Sequence, residues 1–399
     1  MRSLHGFLRF LRREAVILGV AILLPIFFQA QVLDAYIVST PSMEPTIEGD
    51  PDRGDRVLVD KLWDDYGRPK RFDLCVFRHD GKTVVKRIAG LPDEWLQIDD
   101  YDLFAGPQRQ SMRRVCKSLA GDQDLLICFW DSGRDPAGFA SRRWTKKPGR
   151  IQSKKEDCVL LPSPKGNDPR KEEPWALRWN GRITTGYLDG FDRLQEGRIL
   201  ARDFGLILSL DAEPGAVLAI RWRYLDSVWS LRWEAAGAVG LRRVRDRLGR
   251  GPRDVARWDD GPSFDDGRTH DLSFAYLDGR FCIAIDGKDL GNLAVDPSDL
   301  QDIRRQGRNT NGLDLANTGG GRIRISALRV FHDIHYLDLG DFAGLEPLHI
   351  PVGKIFVLGD NSEDSQDSRF FGPIPTESLI GRPLLVAAPL SRFRWLRQR

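Results

Sequence analysis

Two residues of this chain could do hydrolytic chemistry together. Ser42 lies in Thr40-Pro41-Ser42-Met43-Glu44-Pro45-Thr46, and Lys86 lies in Thr83-Val84-Val85-Lys86-Arg87-Ile88-Ala89-Gly90. A serine hydroxyl becomes a nucleophile only beside a base that takes its proton. None of the histidines is well placed for that role, so the lysine is the candidate base. A free lysine has a pKa of about 10.4 and is a poor base at neutral pH. Desolvation disfavours the ammonium and can lower the value by roughly 3–5 units. A shift of about three units would cost roughly 4 kcal/mol against the reference state and leave an amine able to accept the serine proton. Val84, Val85 and Ile88 offer Lys86 such surroundings; a surface lysine on an edge strand is the ordinary alternative. The chemistry expected is acyl transfer. Ser42 attacks a carbonyl, Lys86 takes its proton, and Lys86 later activates water. No metal and no cofactor is called for.

These two residues need a β-rich frame. Tyr36 to Thr40 reads as a strand ending at the Pro41 turn, with Ser42 exposed at its end. Gly54 to Lys61 is a turn feeding a strand, and Arg71 to Phe77 is a further strand. Asp80-Gly81 joins it to Thr83–Gly90 as a hairpin. Far downstream, Phe356-Val357-Leu358-Gly359-Asp360-Asn361 is an apolar strand entering a polar loop. That loop runs on through Ser365-Gln366-Asp367-Ser368-Arg369.

In order and in residue type these blocks resemble bacterial type I signal peptidases, membrane-bound Ser/Lys proteases that cleave signal peptides from exported proteins. The resemblance covers about residues 14–98 and 350–386. It implies that Thr40 helps the Ser42 N–H hold an oxyanion. It implies that Ser365 hydrogen-bonds the catalytic lysine, that Asp360 sits near Arg87, and that Asp367 and Arg369 form a structural ion pair. It also implies that a signal peptide of an exported preprotein adds as an extended strand between Ile37-Val38 and Thr83-Val84-Val85. Shallow apolar pockets would then select small residues at positions −1 and −3.

Ala15 to Leu33 carries no formal charge and is about long enough to span a bilayer. Arg2, Arg9, Arg12 and Arg13 precede it. The positive-inside rule then leaves residues 1–13 in the cytoplasm and the catalytic domain outside, on a single-pass anchor at 14–34 in the cell membrane. A cleaved signal peptide is the competing reading of the same stretch, opposed by the closeness of Ser42.

With 399 residues and a net charge of +3, the chain has room for two or three domains and no charge bias that names a partner. No basic stripe with reader motifs points to nucleic acid. The five cysteines fit no zinc spacing, and Cys116–Cys128 is a candidate bridge beside the alternative of five free thiols. The expected fold is mainly β: a signal-peptidase-type β core at 35–99 and 346–390 behind the N-terminal transmembrane helix, with a long insertion. Residues 100–174 read as loops with a few strands, and 175–337 as an all-β sandwich. Its signals are alternation in Leu272–Leu277, Arg280–Ile285 and Arg322–Phe331, with turns at Asp278-Gly279 and Asp286-Gly287. The pattern resembles concanavalin-like sandwiches of the laminin-G type, which implies a glycan or protein ligand. Trp222, Trp229, Trp233 and Trp258 are expected in the core, the alternative being binding platforms. His332 and His335 invite a metal reading, set aside because three residues apart on a strand they should face opposite ways. Residues 391–399 form a basic tail, read as solvated or lipid-facing. Two rivals stand against a peptidase: a membrane-anchored, non-enzymatic binding protein acting through the sandwich, and a soluble autopeptidase like the SOS-response repressors. The joint presence of Ser42, Lys86, Thr40 and Ser365 opposes the first, and the apolar N-terminus the second.

Overall fold

The computed structural model describes residues 32–62, 69–162, 175–225, 227–245, 251–295 and 311–396. The chain divides into two compact units, 1–113 with 336–399, and 114–335.

The first unit is built on an eight-stranded antiparallel sheet whose order interleaves the two ends of the chain. Across it run Leu33–Ile37, Arg56–Asp60, Leu379–Ala388, Leu74–His79, Lys82–Gly90, Lys354–Leu358 and Ile374–Pro375, with Arg394–Trp395 paired beside Leu379–Ala388. One apolar cluster gathers Val38, Met43, Ile47, Val57, Val59, Leu74, Val76 and Val386; another gathers Cys75, Phe77, Ile88, Ile355, Val357 and Ile374. The Asp80-Gly81 turn has positive φ at both residues (47° and 74°), as a two-residue hairpin of the I′ kind demands.

The expected anchor at 14–34 lies outside the described residues as far as residue 31. Its last two positions, Leu33 and Asp34, belong instead to the strand Leu33–Ile37, held by antiparallel pairing with Arg56–Asp60. Hydropathy alone does not see that pairing. Among the described residues no helix is long and apolar enough to cross a membrane. The basic tail is not simply solvated. Arg392 is buried and its Nε donates to Asp55 Oδ1 at 2.7 Å, while Arg394 Nη2 donates to the Thr46 carbonyl at 2.7 Å.

The second unit holds two antiparallel sheets. One contains Ile151–Ser153, Cys158–Leu160, Ile323–Asp333, Phe204–Ala212, His270–Leu277, Arg280–Ile285 and Lys288–Ala294, with Leu126–Asp131 also paired to Ile323–Asp333. The other runs Arg253–Trp258, Val239–Arg245, Ser227–Glu234, Val217–Tyr224, Asn311–Asn317, Leu177–Trp179 and Trp144–Lys146. Inward side chains of both meet in one apolar cluster, for instance Leu206, Phe274 and Val330 from the first with Ile220, Trp229 and Leu315 from the second. The Trp222 ring stacks on Phe204 at 5.0 Å. Trp222, Trp229 and Trp233 are core residues, and Trp258 packs partly buried against them. Residues 100–174 hold more regular structure than their Pro/Gly-rich composition suggests. Six short strands lie between Asp102 and Leu160, and four of them, Leu126–Asp131, Trp144–Lys146, Ile151–Ser153 and Cys158–Leu160, join the two large sheets as neighbours, a role that pairing partners decide and local sequence does not.

The five cysteines are free thiols, so Cys116 and Cys128 are not bridged. Cys116 lies against the Asp278 carbonyl, whereas Cys128 is held opposite Phe331 by strand pairing. The histidine geometry also differs from expectation. The strand ends at Asp333, and His332 and His335 both turn Nδ1 toward the Asp333 carbonyl, at 2.6 and 2.8 Å.

Candidate active site

Lys86 sits mid-strand in Lys82–Gly90. Alternation puts it on one face with Val84 and Ile88, and register sets Cys75 directly across from it and Phe77 across from Val84. Cys75, Phe77 and Ile88 are closed to solvent, and Lys86 itself is 2% exposed. Burial lowers its pKa to about 8, while Asp367 and Asp360 push the other way. Its Nζ is hydrogen-bonded to Ser42 Oγ.

Ser42 is the middle residue of a single 3-10 turn, Pro41–Met43, entered by extended backbone at Thr40. The first N–H groups of such a turn have no partner inside it, and proline at its start suits that position. The Ser42 N–H belongs to that set. The Thr40 hydroxyl approaches Ser42 Oγ at 3.3 Å. Met43 is fully buried and anchors the turn in the core, so Ser42 is held rather than swinging on a loop.

The downstream block braces this turn. Asn361 N–H donates to the Ser42 carbonyl (3.1 Å) and its Nδ2 to the Pro41 carbonyl (3.2 Å). Gly359 must be glycine, because a Cβ there would come within 2.5 Å of the Ser42 carbonyl oxygen and 2.2 Å of Ser365 Oγ. Gly49 is equally constrained, since a Cβ would meet the Thr40 carbonyl oxygen at 1.7 Å. Arg87 and Asp360 form a bidentate pair, Nε to Oδ1 at 2.8 Å and Nη2 to Oδ2 at 2.6 Å, both fully buried. Arg87 Nη1 also donates to the Phe72 carbonyl (2.7 Å), and Thr46 Oγ1 donates to Asp360 Oδ2 (2.5 Å). Asp367 and Arg369 form a second buried bidentate pair, with both contacts at 2.8 Å.

Ser365 departs from expectation. Its hydroxyl donates to Asp367 Oδ2 at 2.7 Å, and no hydrogen bond links it to Lys86 among the described residues. Asp367, fixed by Arg369 and by the Gly359 N–H (3.0 Å), supplies the stronger acceptor. Sequence reasoning passed over Thr46 and the bracing role of Asn361. Both lie inside quoted motifs, and only their pairing across more than 300 residues shows what they do.

Of the residues expected to line a substrate groove, Ile37 and Thr83 are exposed, Val84 and Val85 half-buried, and Val38 buried. Lys354–Leu358 pairs only with the Arg87–Gly90 end of its neighbour, so Lys82–Val85 keeps one edge without a strand among the described residues. Leu33–Ile37 is the terminal strand of the sheet.

Residues 11–112 and 283–387 match the model of the signal peptidase family, peptidase S26. The chain belongs to this family. Signal peptidase I of Bacillus licheniformis is 32% identical over 94 residues, which make up 23% of this chain and 48% of that protein. Thylakoidal processing peptidase 1 of Arabidopsis thaliana is 44% identical over 48 residues, 12% of this chain and 14% of that one. Mitochondrial inner membrane protease subunit 1 of Homo sapiens is 43% identical over 49 residues, 12% of this chain and 30% of that one. The chain thus spans less than half the length of each of these peptidase S26 relatives. A galectin from Caenorhabditis elegans superposes on 33% of the chain and 84% of its own at 17% identity, with a TM-score of 0.25, too loose a likeness to characterise the second unit.

Proposed function

We propose that this chain is a membrane-bound serine endopeptidase that removes signal peptides from exported preproteins, with Ser42 as nucleophile and Lys86 as general base. The observation that carries the reading is the Lys86 Nζ–Ser42 Oγ hydrogen bond, made by a lysine whose burial brings its pKa to about 8. At that value an appreciable fraction is neutral near pH 7, and the neutral amine accepts the Ser42 proton as Oγ attacks the scissile carbonyl. The same amine, protonated, passes its proton to the departing amine. It then takes a proton from the water that hydrolyses the acyl-enzyme. The Ser42 N–H and the Thr40 hydroxyl are suited to hold the oxyanion. Arg87–Asp360, Asp367–Arg369, Ser365 and Asn361 keep the serine turn and the lysine in register. The open edges at Ile37-Val38 and Thr83-Val84-Val85 suit strand addition by the substrate.

The apolar run that precedes Leu33 is the single-pass anchor in this reading, with 1–13 cytoplasmic and the peptidase unit outside. The apolar, uncharged run and the arginines before it support that, as does a relative named as an inner membrane protease. The second unit is a concanavalin- or laminin-G-like β-sandwich in the same reading, inserted as a ligand-binding module.

The test is cleavage of a preprotein with an Ala-x-Ala site by detergent-solubilised enzyme, beside Ser42→Ala and Lys86→Ala. Loss of cleavage in both folded variants supports the dyad. Full cleavage by either variant removes that residue from the chemistry.

A further inference from the structure

The segment that follows Leu379–Ala388 carries its residues inside out. Arg392 and Leu396 are buried and Arg394 is half-buried, whereas Phe393 and Trp395 between them stand 53% and 71% exposed. Register forces the arrangement. Arg394 pairs with Val386, and Val386 with Val57, so Arg394 shares a face with two members of the apolar cluster under the sheet. The Leu396 N–H donates to the Leu384 carbonyl at 2.8 Å, and its side chain joins Val38, Met43 and Ile47 in that cluster. Met43 is the next residue after Ser42.

The two inward arginines grip one loop, residues 44–55. Arg392 donates from Nε to Asp55 Oδ1 at 2.7 Å and from Nη2 to the Arg53 carbonyl at 3.0 Å, while Arg394 Nη2 donates to the Thr46 carbonyl at 2.7 Å. Asp55 is closed to solvent, and its Oδ2 accepts the Glu48 N–H at 3.0 Å. A carboxylate so buried requires a cation and donors of this kind. The loop in turn backs the Ser42 turn. The Ile47 N–H donates to the Met43 carbonyl (2.9 Å), the Asp50 N–H to the Val38 carbonyl (3.2 Å), and the Val38 N–H to the Asp55 carbonyl (2.9 Å).

Thr46 carries the grip to the site, because it is held from two directions. Arg394 takes its carbonyl, and its hydroxyl donates to Asp360 Oδ2. Asp360 holds Arg87, the neighbour of Lys86 on its strand. The line Arg394–Thr46–Asp360–Arg87 therefore ties the last described strand to the Lys86 strand through the loop that follows Ser42. Bonded supports of this kind fix the separation of two reacting groups.

We propose that Arg392 and Arg394 are positioning residues for the Ser42–Lys86 pair, acting through Thr46; this rests on the reading of Ser42 and Lys86 as nucleophile and base. Residues 389–396 are then a strap whose closure on the loop sets the Ser42–Lys86 distance, and neither arginine touches the substrate.

The experiment compares wild type, Ser42→Ala, Arg394→Met, Arg394→Lys and Thr46→Val, each full-length in detergent micelles, in cleavage of a preprotein with an Ala-x-Ala site. kcat and KM are read separately and across pH. Arg394→Met should lower kcat by about ten- to hundredfold with KM little altered, the usual result of a small misplacement. The midpoint of its pH profile should move up from about 8, because a loosened turn lets water reach Lys86. Arg394→Lys keeps one donor for the same carbonyl and should restore most of kcat. Should Arg394→Met prove poorly folded, Thr46→Val cuts the link at its other end with a side chain of the same shape, and a loss of the same kind is expected. Wild-type kcat and midpoint in the folded variants overturn the proposal alone. So does a fall in activity that leaves the midpoint in place, since that marks a merely structural clamp. Full cleavage by Ser42→Ala, or none by the wild type, overturns the dyad and this proposal with it.

Discussion

The two units each bury a lysine, and they treat it in opposite ways. Lys86 faces Cys75, Phe77 and Ile88 and is hydrogen-bonded to a hydroxyl; burial lowers its pKa to about 8. Lys117 is as deeply placed, with its side chain 5% exposed, but its ammonium lies 2.8 Å from Asp278 and 2.6 Å from Asp333. Burial would lower Lys117 too, yet the two carboxylates outweigh it and raise the value well above the ordinary one. Burial alone therefore does not make a base. What decides the charge is the company in the pocket: a neutral acceptor for one lysine, and for the other two carboxyl groups, of which Asp333 is itself pushed well up by burial while Lys117 pulls it down. The carboxylates near Lys86, Asp360 and Asp367, are already engaged by Arg87 and Arg369. Those two arginines keep the Lys86 pocket from becoming a second Lys117 site.

The largest test of this contrast is activity. Ser42→Ala and Lys86→Met should each lower preprotein cleavage by about four orders of magnitude or more, measured as kcat/KM on folded enzyme. Lys117→Met should leave kcat/KM on the same preprotein nearly unchanged; equal losses for the two lysines would erase the distinction. Stability should rank them the other way. Lys117→Met strands Asp278 and Asp333 without their cation and should cost about 3–5 kcal/mol in denaturant unfolding. Lys86→Met removes a desolvated charge and should raise the unfolding free energy at pH 7.

The pH dependence follows from the same shift. Between its folded value of about 8 and its unfolded value of 10.5, Lys86 keeps its proton in the unfolded chain and has lost it in the folded one. The unfolded state then binds more protons, so unfolding free energy rises with pH across that window, by about 3 kcal/mol for this group. That contribution is lost as pH falls through about 8. Cleavage should rise through the same value, because the neutral amine is the active form. Flat profiles in wild type, or unchanged slopes in Lys86→Met, would detach the lysine from both effects. The smallest expected change is Thr40→Val, a fall of about a hundredfold in kcat with KM little altered.

Local chemistry made parts of this legible beforehand. Three of the six Asp-Gly pairs, at 80–81, 278–279 and 286–287, are hairpin turns with positive φ at both residues, because that dipeptide tolerates what few others do. A lysine amid Val84, Val85 and Ile88 could be read as buried for the same local reason. What stayed hidden depends on partners far away in the sequence. Ser365 turns to Asp367 because Arg369 has fixed that carboxylate there. Arg392 leaves solvent because Asp55, 337 residues earlier, is waiting for it. The short strands between Asp102 and Leu160 exist because longer neighbours offer them edges.

The strand order of the first unit also sets a timetable. Arg56–Asp60 and Leu74–His79 meet only through Leu379–Ala388, which lies between them in the sheet. A chain emerging from the ribosome carries Ser42 and Lys86, the proposed nucleophile and base, early, but Leu379–Ala388, the strand that joins their two halves of the sheet, is made only after residues 114–335. Among the described residues, the two large sheets of residues 114–335 draw every strand from that stretch and can form while the ends are still apart. In the proposed reading, competence for cleavage therefore waits for Leu379–Ala388, which is made after the interior module. A nascent chain halted before residue 379 should hold that module folded and remain inert toward any preprotein.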